Sequence, residues 1–256
     1  MSVMKYCELF VLLLLLLPGC SSQESRIEKV ILVSANAEWN VVKDVFPHEA
    51  ILPSPWGEYF VKPMRVGNTT EPVIFFHGGW GKVAAAGSTQ YCIDRWAPTY
   101  LINIGTCGGF EGEIKKLEIV LVDKTVIYDI EEAMGDSQEA ISDYSTVLDL
   151  SWLGDRLPKD VTKTVMVSAD RDIVPAEISG LITRYHAVAG DWETGAIAYT
   201  CMKNKQRVLI LRGVSDLVGL QNGGEAYQNN SIFVLGTDKV MKQLLEDLPT
   251  WLEKCR

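Results

Sequence analysis

Three acids in this sequence are placed where chemistry could happen: Glu38, Glu193 and Asp216. Each follows a short, mostly apolar run: residues 30–33, 187–189 and 207–211 respectively. An acid that protonates a leaving group and a carboxylate that takes a proton from water are the minimum for general acid–base bond cleavage. The plain alternative for Glu38 and Glu193 is a helix cap or first-turn acid, a common and stabilising placement. Asp216 closes an apolar strand behind Ser215, so partial burial and a perturbed proton affinity are expected there. Trp80 and Trp192 offer flat apolar walls for a ring-shaped ligand, with core packing as the alternative. Cys107 sits beside Gly108-Gly109 with no activating base nearby in sequence, and is expected to be a packed thiol. His48, His77 and His186 are scattered without metal-ligand spacing, so neither a metal nor another cofactor is expected. No GxGxxG, Walker loop or GxSxG occurs.

The elements that position these residues alternate. Strands are predicted at 30–33, 59–66, 72–76, 100–104, 117–128, 164–167, 187–189 and 207–211. Helices are predicted from residue 38 to 46, 82–96, 176–185, 193–204 and about 227–253, with Pro175 at the start of one. Residues 129–160 are acidic and irregular, a candidate loop or lid. This order predicts a single α/β domain over 28–256, with a central mixed, mostly parallel sheet flanked by helices. Ligands of such sheets bind beyond the carboxyl ends of strands. Glu38, the glycines at 78–81 and 105–109, residues 169–172, 191–193 and 212–216 all fall at predicted strand ends. Six segments are therefore expected to meet at one pocket.

The chain has 256 residues, 47% hydrophobic and 22% charged, enough for one large core. A net charge of −9 and a pI near 4.9 disfavour a nucleic-acid partner. Residues 9–17 are an unbroken apolar run preceded by Lys5, too short to span a bilayer. Leu17-Pro18-Gly19-Cys20 follows. Residues 1–19 are expected to be an export signal resembling that of bacterial lipoproteins, with Cys20 as the lipidated residue. Residues 20–27 would be a tether holding an exported domain at a bacterial cell membrane, periplasm-facing or on the cell surface. Cys92, Cys107, Cys201 and Cys255 carry no disulfide framework and are expected as buried thiols.

Four motifs occur in order: Gly79-Trp80-Gly81-Lys82-Val83-Ala84-Ala85-Ala86, Asn103-Ile104-Gly105-Thr106-Cys107-Gly108-Gly109-Phe110, Asp191-Trp192-Glu193-Thr194-Gly195-Ala196-Ile197-Ala198 and Arg212-Gly213-Val214-Ser215-Asp216. Together they resemble the purine/uridine phosphorylase and nucleosidase superfamily, and most of all its methylthioadenosine/S-adenosylhomocysteine nucleosidases. The resemblance implies a nucleoside phosphorylase-like fold and a set of roles. Asp216 would protonate purine N7, Glu193 would accept hydrogen bonds from the ribose hydroxyls, and Glu38 would activate the attacking water. Thr106 would lie beside the water or phosphate subsite, and Arg212 would hold the acids in place. Asp172 and Ile173 align with the base-binding loop, where the family usually carries an aromatic near position 172. Trp192 stands where a methionine is usual. A homodimer or larger homo-oligomer is implied as well.

Phosphorylases of the superfamily hold phosphate with arginines. Here residues 34–39 include no Arg or Lys, and position 103 is Asn where uridine-type phosphorylases carry Arg. Without those cations a phosphate dianion stays in water, so hydrolysis of a purine nucleoside is expected. The alternatives are a phosphate-dependent phosphorylase and a non-catalytic nucleoside-binding or storage protein of the same fold.

Overall fold

The computed structural model describes residues 26–221 and 223–256. The expected leader, Cys20 as the expected lipidation site and residues 21–25 lie outside the described residues. The elements run β1 (Lys29–Val33), α1 (Asn36–Val45), β2 (Leu52–Ser54), β3 (Gly57–Val66), β4 (Thr69–His77), α2 (Lys82–Trp96), β5 (Tyr100–Phe110) and β6 (Ile119–Ile127). They continue with α3 (Ser137–Asp143), β7 (Thr146–Val147), β8 (Thr162–Ser168), α4 (Ile178–Tyr185), β9 (Ala187–Asp191), α5 (Thr194–Lys203), β10 (Arg207–Gly219), β11 (Gly223–Gly224) and α6 (Asn230–Leu252). The expected α/β architecture with a central sheet flanked by helices is what the chain forms.

Every described strand joins one sheet. Its central run β4-β1-β5-β10 is parallel, as is β6-β8-β9. β1 is buried along its whole length, Lys29 included, and the apolar run at 30–33 suits that burial. Alternate residues feed two cores. Ile31, Val33, Ile102 and Ile104 pack with α1 and α6 through Trp39, Val42, Met241 and Leu244. Val30, Leu32 and Leu101 pack on the other side with Ala85, Cys92, Ile197 and Cys201 from α2 and α5. A third cluster lies under α4, around Val167, Ile178 and Leu181. The four described cysteines are free and buried.

Two features depart from a simple sheet. Antiparallel pairings of β10 with β6 and of β5 with β9 close a ring of five strands, β10-β6-β8-β9-β5. In addition, β5 and β10 run well past the predicted ends at 104 and 211. They stay paired as far as Val218 opposite Phe110, with a bulge between Val214 and Asp216. The segments expected as strand-end loops, 105–109 and 212–216, are therefore strand. Their mutual backbone pairing compensates for a glycine-rich, polar composition that disfavours strand. This register sets Arg212 opposite Gly105, Gly213 opposite Thr106 and Asp216 opposite Gly108. A bulge re-aims side chains, here at Ser215-Asp216.

Candidate active site

Glu38 occupies the first turn of α1 and is 2% exposed. Its Oε2 accepts from the backbone N–H of Ala35 (3.0 Å), so the capping role does exist. The same carboxylate also reaches into the site. Oε1 accepts from the Thr106 N–H (2.6 Å) and the Thr106 hydroxyl (2.8 Å). Every one of these partners is a donor, and Oε2 keeps a lone pair for a further one.

Glu193 is the N-cap residue of α5 but makes no capping bond. Asp191 caps instead, accepting from Thr194 N at 3.2 and 3.3 Å and from its hydroxyl at 2.8 Å. That leaves Glu193 to face the cavity, held by the Gly81 N–H on Oε1 (3.1 Å). Arg212, fully buried, bonds Asp191 Oδ2 through Nε at 2.9 Å and lies 3.7 Å from Glu193 Oε2. Asp191 is thus the residue that anchors the arginine, and sequence reasoning did not single it out. Its signal was the pair of acids flanking Trp192.

Asp216 is buried, and burial raises its proton affinity, opposed by the hydrogen bond from Ser215 Oγ to Oδ1 (2.6 Å). A carboxyl pushed towards its protonated form is what proton donation to a leaving group needs. Glu193 is pushed up to about 8, first by desolvation, then by the Asp191 charge, against the pull of Arg212. Burial also raises the Cys107 thiol, which stays protonated with Sγ 3.7 Å from the Gly213 carbonyl. It is a packed thiol, as expected.

The Glu193 shift has a consequence for stability. A carboxyl whose folded value lies above its unfolded one binds more protons when folded, so its contribution is complete at low pH and lost as pH rises. The loss falls between about pH 5 and about pH 8. Thermal denaturation is expected to show the wild type losing more stability across that window than Glu193→Gln, which has no such proton to lose.

These groups line a cavity of about 660 Å³. Its walls include Glu38, Trp80, Thr106, Asp172, Ile173, Trp192, Glu193 and Asp216, so eight of the nine candidate residues face one space. The ninth, Arg212, stands behind the wall against Asp191 and Glu193. Trp80 and Trp192 meet edge to face at 5.3 Å, with Trp80 exposed at the rim. Asp172 is exposed at the rim and Ile173 is buried. Tyr227 also lines the cavity and donates its hydroxyl to the Ile173 carbonyl at 2.5 Å. It belongs to a stretch predicted as helix, but α6 begins only at Asn230, which leaves Tyr227 in the preceding turn.

One glycine is required by this packing. A Cβ on Gly105 would lie 1.8 Å from Arg212 Nη1 and 2.8 Å from Glu38 Oε1. Arg212 is enclosed and cannot yield without releasing Asp191. Gly105→Ala is therefore expected to cost about 3 kcal/mol in thermal or urea unfolding, the scale for disrupting a buried ion pair. It should also lower kcat/KM.

A family model described as the phosphorylase superfamily matches residues 57–246. The chain belongs to the phosphorylase superfamily. Among superfamily relatives, a 5′-methylthioadenosine/S-adenosylhomocysteine nucleosidase of Tolumonas auensis is 28% identical over 162 residues, covering 59% of this chain and 70% of that one. The fold is shared with solved structures. A Helicobacter pylori 5′-methylthioadenosine/S-adenosylhomocysteine nucleosidase bound to butyl-thio-DADMe-Immucillin-A superposes with a TM-score of 0.69 at 16% identity, covering 87% of this chain and 98% of that one. The futalosine hydrolase of Helicobacter pylori gives 0.68 at 15%, with 87% and 97% covered. The resemblance of the four motifs to the nucleosidase side of this superfamily agrees with those relatives. Glu38 lies before the matched span, so its place in the site rests on geometry.

Proposed function

We propose that this superfamily member is a nucleosidase that hydrolyses the N-glycosidic bond of a purine nucleoside of the methylthioadenosine/S-adenosylhomocysteine kind. The observation that carries this is the pairing, in one cavity, of a burial-raised Asp216 with a Glu38 locked onto Thr106. Glycosidic cleavage passes through an oxocarbenium-like state, so the base must leave neutral and water must arrive activated. Asp216 protonates N7 through Oδ2, because Oδ1 is engaged by Ser215. Glu38 takes the proton of a water on the sugar side, oriented with the help of the Thr106 hydroxyl. Glu193, on the cavity wall, binds the ribose hydroxyls. The apolar faces of Trp80 and Trp192 cover the ligand at the rim.

Water is favoured over phosphate by charge. Glu38, Asp172, Asp191, Glu193 and Asp216 line the cavity, and among its described lining residues Arg171 is the one cation, already paired with Glu177 at 2.7 and 3.1 Å. Asn103, where uridine-type phosphorylases carry Arg, is fully buried and donates to the Leu32 carbonyl (2.9 Å). A phosphate dianion brought into that field gains no counter-charge. The retention of both acid and base speaks against a mere binding or storage protein. The test is incubation of the protein from residue 21 onward with purine and pyrimidine nucleosides, with and without 5′-thioether groups, reading free base. Purine release alone is expected; tight binding with no release would overturn the proposal. The exported, Cys20-anchored location and the homo-oligomeric state are part of the same proposal, supported by the leader sequence and the superfamily resemblance.

A further inference from the structure

We propose that Lys82, Asp129 and Asp170 form a positioning clamp that fixes the Gly81 amide on Glu193 and so sets how strongly the site holds the ribose hydroxyls. The inference rests on the assignment of Glu193 to the sugar.

The turn before α2 is unusual in needing outside support. Gly79 and Gly81 both adopt left-handed φ (+78° and +85°), and α2 starts with no side-chain cap from its own N-cap residue, Gly81. A helix start leaves several N–H groups without intrahelical partners. Here the first of them, Lys82 N–H, is accepted by Asp170 Oδ1 at 2.7 Å, from the loop after β8. Asp170 N–H in turn donates to Asp129 Oδ2 at 3.0 Å, just beyond β6. The Lys82 ammonium completes the ring through Asp129 Oδ1, with Asp170 Oδ2 at 3.9 Å. Lys82 and Asp129 side chains are 21% and 15% exposed, so the pair is far better shielded than an ordinary surface bridge.

This ring does not line the cavity. It fixes the residue next to Gly81, whose N–H is the hydrogen bond to Glu193 Oε1 (3.1 Å). Asp170 Oδ1 also lies 3.2 Å from where a Gly81 Cβ would be, so the ring packs directly on the turn. With the clamp open, two flexible glycines let the amide drift. Glu193 then loses the hydrogen bond that aims it, leaving only Arg212 at 3.7 Å. Lys82 is thus a positioning residue, acting on the substrate through Gly81 and Glu193.

The experiment compares a purine ribonucleoside with its 2′,3′-dideoxy counterpart, using wild type, Lys82→Met and Asp170→Ala. Only the ribonucleoside has hydroxyls for Glu193. Both variants are expected to lose about ten-fold in the ratio of kcat/KM for ribo over dideoxy substrate, mostly in KM, the scale of one lost hydrogen bond. Asp170, with a 41% exposed side chain, keeps the test open should Lys82→Met fail to fold. Equal losses on both substrates, or no loss on either, would overturn the clamp and mark the ring as a brace for the fold alone. A wild type that releases base but does not discriminate the two substrates would overturn it through Glu193. A wild type that releases no base would instead bring down the proposed hydrolysis itself.

Discussion

Asp216→Asn is expected to lower kcat by about 10³-fold while the nucleoside dissociation constant stays nearly constant, because loss of a general acid removes a contribution of that order. The reasons are local. Asn keeps the shape of Asp and can still accept the Ser215 hydroxyl on its oxygen, in place of Oδ1 at 2.6 Å. The bulge between Val214 and Asp216 and the pairing with β5 do not depend on the carboxyl. What disappears is the proton. Burial raises Asp216 towards the neutral, donating form, and an amide has no proton of comparable acidity to give N7. Steady-state release of free base, set beside equilibrium binding, separates the two effects. Undiminished turnover by the variant would assign the acid to another residue.

The second large effect falls on Glu38→Gln, with a different signature. Removal of the water-activating base is expected to cost about 10³-fold in kcat. Here stability should fall too, by about 1–2 kcal/mol, since a mismatched buried hydrogen bond carries its own penalty. Glu38 accepts three bonds, two on Oε1 from Thr106 and one on Oε2 from Ala35. A Gln offers one acceptor oxygen, so its NH2 must confront at least one of those donors. Thermal denaturation beside kcat is the check: Asp216→Asn is expected to lose activity alone, and Glu38→Gln to lose both. A Glu38→Gln protein of full stability and full activity would contradict the geometry on both counts.

Legibility in the sequence followed sequence distance. The helix over 82–96 is written in an alanine-rich 3.6 period that follows the glycines at 78–81, and it forms over those residues. The strand at 30–33 is uniformly apolar and is the most buried strand of the sheet. By contrast, nothing local in Gly105-Thr106-Cys107-Gly108-Gly109 favours strand. Those residues extend because β10 lies beside them, a partner about a hundred positions away. Closure of the five-stranded ring has the same origin, in the β10·β6 and β5·β9 contacts. At the site, acids at strand ends were readable singly, and their order along the chain added the superfamily. The division of labour between Asp191 and Glu193 was not readable. Either could cap α5, and only the position of Arg212 decides which does. Tyr227 was hidden in a stretch of helical composition, and its hydroxyl finds Ile173 only once β10 and α6 are placed.

The most direct measurement is the fate of the sugar's anomeric oxygen. Turnover of a purine nucleoside in ¹⁸O-labelled water containing phosphate should place the label on C1 of the released sugar, at a rate that added phosphate leaves alone. A sugar 1-phosphate without label, formed faster as phosphate is raised, would show that Glu38 and Thr106 do not hold a nucleophilic water.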